Sequence, residues 1–237
     1  MPIEKLLLVT AGMAMLIVVN CSPSHPPTEK ANTAPVTSAT PPSAEPKGSV
    51  PASVTNMGEF AENIYDAAKA KNWTLAQEKL KTLNDAASQA RAQSSVQVQG
   101  APNLDPALAT LSKAIVSKNR QAAMHQSNEI TSMAADLAEP FHPAVPADIN
   151  RLDFYGRELE VWSAENNTGK LHSTVQDMRK TWNRVRPAVE SHGGQTVAAK
   201  FDGLVARAEA AKTSAQFRSV ATPILDEVDH LEKVFEK

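Results

Sequence analysis

Four polar interruptions set the frame for this chain: Lys71-Asn72-Trp73, Lys118-Asn119-Arg120, Asn166-Asn167-Thr168 and Lys212-Thr213-Ser214, whose first residues lie 47, 48 and 46 positions apart. Around them apolar residues return at intervals of three and four. One stripe runs Leu171, Val175, Met178, Trp182, Val185, Val189, and another Phe217, Ala221, Ile224, Val228, Leu231, Phe235. Two more run Ala76, Leu80, Leu83, Ala87, Ala90 and Ala123, Gln126, Ile130, Met133, Leu137. Such spacing puts each set on one face of a helix. Helices of this length are marginal alone in water, so the apolar faces must close on one another. Thr74-x-x-Gln77 and Thr213-x-x-Gln216 have capping-box spacing just behind two of the interruptions, which predicts that each break ends one helix and starts the next.

The pattern predicts an all-α protein of four antiparallel helical hairpins, eight helices in all: 57–71 with 74–93, 105–117 with 119–138, 147–165 with 169–191, and 195–211 with 214–235. Between the second and third hairpins lies Glu139-Pro-Phe-His-Pro-Ala-Val-Pro146, whose three prolines forbid a continuous helix. That boundary predicts two packed four-helix bundles, 56–139 and 147–237. A single array of hairpins is the alternative, since a period near 47 also suits helical solenoids. Pro223 predicts a kink in the last helix or a break near Thr222.

The N-terminal quarter reads differently. Leu6 to Val19 is an uncharged run of fourteen residues, the length of a signal-peptide core and short of the ~20 residues a spanning helix needs. It ends at Cys21, the only cysteine in 237 residues, so an internal disulfide and any Cys-x-x-Cys chemistry are excluded. Val18-Val19-Asn20-Cys21 resembles the lipobox of bacterial lipoproteins, with Asn20 at a position where Gly, Ala or Ser is usual. The resemblance implies cleavage of residues 1–20 before Cys21, acylation of that cysteine, and attachment of an exported protein to a bacterial membrane. Ser22 follows the cysteine, and the absence of Asp there favours the outer membrane over the inner. Residues 21–55 hold eight of the sixteen prolines and no aromatic residue, which predicts a disordered tether. Such a tether would reach between roughly 30 Å as a coil and roughly 100 Å if extended.

Candidate chemistry is sparse. Glu227-x-x-His230 has the one-turn carboxylate and imidazole spacing used in dimetal bundles, although a solvated acidic face explains the same residues. His125 and Glu129 form an i, i+4 pair, and Met124 and Met133 beside them raise noncovalent haem ligation. His142 lies in the proline-rich loop with Glu139. Arg179, Lys180, Arg184 and Arg186 form a possible surface for an anionic partner, with pairing to helix carboxylates such as Glu158 or Glu190 as the competing account for Arg179 and Arg186. Trp73, Trp162 and Trp182 read as core anchors or hairpin staples, and His192-Gly193-Gly194 as a helix C-terminus. No nucleophile elbow, phosphate-binding glycine loop or His-Glu-x-x-His helix occurs. A formal net charge of −2 removes the basic field that nucleic-acid binding requires.

These features lead to the expectation of a non-enzymatic, lipid-anchored binding or assembly module of the cell envelope, with no cofactor and an unidentified envelope partner. The alternative is a periplasmic metal- or haem-binding bundle using Glu227 and His230, with His125 or His142 as further ligands.

Overall fold

The computed structural model describes residues 49–93 and 103–236. Cys21, the signal segment and most of the expected tether lie outside the described residues. Eight α-helices follow in order: α1 Ala52–Lys69, α2 Trp73–Ala92, α3 Leu104–Val116, α4 Arg120–Ala138, α5 Ala147–Glu165, α6 Thr168–Ser191, α7 Gln195–Ala210 and α8 Ser214–Phe235. A short 3₁₀ turn, Glu139–Phe141, closes α4, and no strand occurs among the described residues. The chain is all-α. No described helix is long and apolar enough to cross a membrane.

The spacing of the interruptions has a stereochemical cause. Lys71, Lys118 and Asn166 each adopt a left-handed backbone, with φ of 58°, 54° and 56°. The residue after each donates its N–H five positions back, to Ala67, Ala114 and Trp162, in the Schellman closure of a helix. That same residue, Asn72, Asn119 or Asn167, then caps the next helix by accepting an N–H from Leu75, Ala122 or Lys170. Two adjacent residues therefore stop one helix and start another. The cap of α2 is thus Asn72 and not Thr74.

The fourth interruption works by another route. Ala211 is extended, and Thr213 and Gln216 exchange hydrogen bonds in a reciprocal capping box. The left-handed closure recurs instead at Gly193, φ 84°, between α6 and α7. At the start, α1 begins at Ala52, so residues 52–55 are helical and not part of the tether; Ser53 and Val54 are buried. α8 runs unbroken through Pro223, as α6 does through Pro187.

Each set of four helices closes a ring around its own interior: α1 packs on α2 and α4, with α3 on the far side, and α5 packs on α6 and α8, with α7 opposite. Alanine makes up about half of the buried hydrophobic residues of the first interior. The second is filled by larger side chains, with Trp182, Phe201 and Phe217 wholly buried and the Trp182 and Phe201 rings 4.7 Å apart. α4 lies against α5, so the two rings share a seam within one compact unit. Val161 of α5 inserts into the interior of the first ring.

Candidate functional site

α4 and α5 show the least contrast between apolar and polar faces of the eight helices. The reason is that each is covered on two sides, by its own ring and by the opposite one. Their second covered faces carry polar groups: Asn128 and Thr131 on α4, and Asp153 and Glu158 on α5. Polar groups removed from water must find partners: Asn128 and Glu158 find them across the seam, whereas Thr131 donates to the Ser127 carbonyl and Asp153 pairs with Arg157, each on its own helix.

At its middle, buried Asn128 donates through Nδ2 to the Phe154 carbonyl at 3.0 Å and to Glu158 Oε1 at 3.1 Å. His125 Nδ1 stands 3.3 Å from the same Glu158 oxygen, and its Nε2 stands 4.0 Å from Glu129 Oε1. The imidazole packs 5.0 Å from the Trp162 ring, which also carries the Lys170 ammonium over its face. The hydrogen bond to Glu158 raises the His125 pKa, burial opposing it, and burial raises that of Glu129. His125, Glu129 and Glu158 form the one described group of three His or carboxylate residues with ligand atoms within 4.8 Å of one another. The two ring nitrogens face different carboxylates, however, which is the geometry of an imidazolium held between two anions.

Towards the other end, Arg157 pairs with Asp153 at 2.9 Å and with Glu62 of α1 at 3.4 Å, and its guanidinium lies 5.3 Å from the Tyr65 ring centroid. Arg157 Nη1 is buried without a protein partner. Burial, with Glu62, Glu232 and Asp229 nearby, pushes Asp153 up to about 7 against the opposing pull of Arg157. Glu232 of α8 is pushed up to about 6 by burial and by Glu62. This end holds more carboxyl groups than the single arginine can neutralise.

Beside Arg157, across the shared Tyr65, Glu160 of α5 is fully engaged. It accepts from Tyr65 Oη at 2.8 Å and from Lys69 Nζ at 2.7 Å, with the Thr222 hydroxyl at 3.5 Å. Beside it a cleft of about 410 Å³ opens between α1, α4, α5 and α8.

The residues singled out from sequence fall elsewhere. His230 Nδ1 lies 3.5 Å from Glu227 Oε2, but His230 is half exposed, and the pair gains no third ligand among the described residues. His142 sits in the proline loop with φ of 50°. The four basic residues of α6 are each engaged with carboxylates. Arg179 forks onto Glu209, Lys180 meets Asp177, Arg184 forks onto Asp148, and Arg186 contacts both Asp202 and Glu190. Glu190 is a partner as expected for Arg186, whereas Glu158 belongs to the seam and takes no part with Arg179. Trp182 is a core anchor whose Nε1 donates to Asp202 at 2.6 Å, and His192 ends α6 ahead of left-handed Gly193. The seam itself escaped sequence reasoning because His125 and Glu158 are 33 positions apart on different helices. The weak facial contrast of α4 and α5 is a signal in the sequence that could have found it.

Compared with known protein families, with curated proteins and with solved structures, the chain finds no match.

Proposed function

We propose that this chain is a lipid-anchored binding or assembly module of the cell envelope, tethered through acylated Cys21 and working through the surfaces of its two helical rings. The observation that carries the reading is the lone cysteine at the end of the uncharged run Leu6–Val19, with a proline-rich stretch directly behind it. A covalent lipid at that point supplies the several acyl chains that stable anchoring needs, and the following residues let the helices stand away from the bilayer. The absence of any recognisable catalytic motif in the sequence fits a module that binds rather than transforms.

The test is fractionation of the producing cells. The wild-type chain is expected in the membrane fraction, released only by detergent, and Cys21→Ala is expected in the aqueous fraction. A Cys21→Ala variant that still needs detergent would overturn the anchor. The alternative of a metal-binding bundle draws on His125, Glu129 and Glu158, which converge where Glu227 and His230 stand alone. Stoichiometric metal in protein taken from the native envelope would transfer the assignment to that alternative.

A further inference from the structure

We infer that the cleft beside Glu160 is a binding site for a small organic anion, a carboxylate or phosphate head on an apolar body. The inference rests on the reading of the chain as a binding module and names a ligand class for one of its surfaces.

The charges come first. Lys69 and Glu160 line the cleft and neutralise each other one to one, and Glu160 is occupied further by Tyr65 and Thr222. That leaves Arg120, the first residue of α4, and Arg218 of α8 on the cleft walls. Arg120 makes no ion pair among the described residues. Arg218 donates only through Nη2, to the Ser163 carbonyl at 2.9 Å, so most of the five N–H donors of its guanidinium stay free. No other carboxylate lines this space. A surplus of two guanidinium groups on one concavity selects an anion, and the fork of each matches the paired oxygens of a carboxylate or phosphate.

The floor specifies the rest of the ligand. Met124 and Val161 are buried at the base and Ala164 forms part of the wall, so the deeper surface is hydrocarbon, and methionine adapts to varied apolar shapes. A volume of about 410 Å³ lies at the lower end of the range for small-molecule sites. It admits an anion carrying a short alkyl or single-ring body. The walls come from both rings, Arg120 from the first and Arg218 from the second, so an occupant would bridge them.

The test is calorimetric titration of the full chain with octanoate, hexyl phosphate, inorganic phosphate and hexanol. Octanoate or hexyl phosphate is expected to bind saturably with one site, at least tenfold more tightly than either inorganic phosphate or hexanol. Whichever of the two binds tighter identifies the head group. The double variant Arg120→Ala/Arg218→Ala is expected to lose at least tenfold in affinity, and Ala164→Glu, which adds a negative charge to an exposed wall, to lose as much. All three positions are exposed, so unchanged thermal melting is expected to accompany these losses. No saturable binding, no preference over the two partial probes, or equal affinity in the double variant would overturn the site. The titration is independent of membrane attachment, so a failed site and a failed anchor give different results.

Discussion

Inside each ring the buried side chains are mostly hydrocarbon, whereas the seam between the rings carries Asn128, Asp153, Arg157, Glu158 and His125. The difference teaches that the two kinds of contact respond to different variables. Hydrocarbon burial is non-directional and indifferent to protons. A seam of ionisable groups is directional and changes with their protonation, and a buried ion pair adds little net stability even though breaking one is costly. The rings are therefore held internally by packing, whereas their mutual docking, which also buries Val161, carries the ionisable groups that make it sensitive to protonation.

The largest effects separate the two regions. Trp182→Ala removes the biggest wholly buried side chain of the second ring and is expected to cost ~3–5 kcal/mol in urea unfolding, equally at pH 5 and pH 8. Arg157→Met strands Asp153 and Glu62 and is expected to cost about 3 kcal/mol at pH 8, with a clearly smaller loss at pH 5, where Asp153 is protonated. Equal losses for Arg157→Met at the two pH values would break the comparison.

A second experiment follows the wild type with pH. Unfolded Asp and Glu titrate near ~3.9 and ~4.3, whereas Asp153 and Glu232 titrate at about 7 and about 6 in the fold. The folded state therefore binds more protons between these limits. The associated stability is full below the unfolded values and is lost as pH rises through 6 and 7. His125, raised by Glu158, has the same sign. Asp148, Asp202 and Glu209 run the other way. Burial pushes the first two up, but Arg184 and Arg151 outweigh it at Asp148, and Trp182 and Arg186 outweigh it at Asp202. Arg179 lowers Glu209 directly. Their contribution is present above the unfolded values and is lost in stronger acid. The urea midpoint is expected to peak near about pH 5 and fall towards about pH 8, with Asp153→Asn flattening the alkaline limb. A level profile over that range would remove the seam's distinct role.

The smallest effects lie at the hinges, which belong to neither region. Lys71→Gly and Lys118→Gly relieve a left-handed backbone that costs a side chain ~1 kcal/mol, and each is expected to raise stability by about 0.5–1 kcal/mol at any pH. Gly193→Ala is expected to lose a similar amount, because the added methyl meets nothing within 4 Å and only the backbone opposes it. Thermal melting reads all three.

Much of this was legible in the chain itself. Helix number, order and most boundaries follow from the return of apolar residues every three or four positions, since one covered face suffices to mark a helix. The misreadings were local. Thr74 carries a capping pattern but lies inside α2, because Asn72 already satisfies both the end of α1 and the start of α2. Residues 52–55 lack a long apolar stripe, yet Val54 docks into the first ring and draws them into α1. The interruption at Lys212 resembles the other three in composition and differs in backbone.

The candidate sites were legible only in part. Glu227 with His230 and the basic run on α6 stand out in the sequence because their members sit within a few positions of one another, where helical spacing brings side chains together. By itself the sequence determined the helices, their hinges and the apolar face that each turns to its own ring, because those depend on nearest neighbours and on a period of 3.6 residues. Only the tertiary structure decided that His125 meets Glu158, that Arg157 faces Asp153 and Glu62, and that Arg120 and Arg218 share one cleft. Those partners stand on different helices, and their approach depends on how the rings dock, which no local pattern encodes.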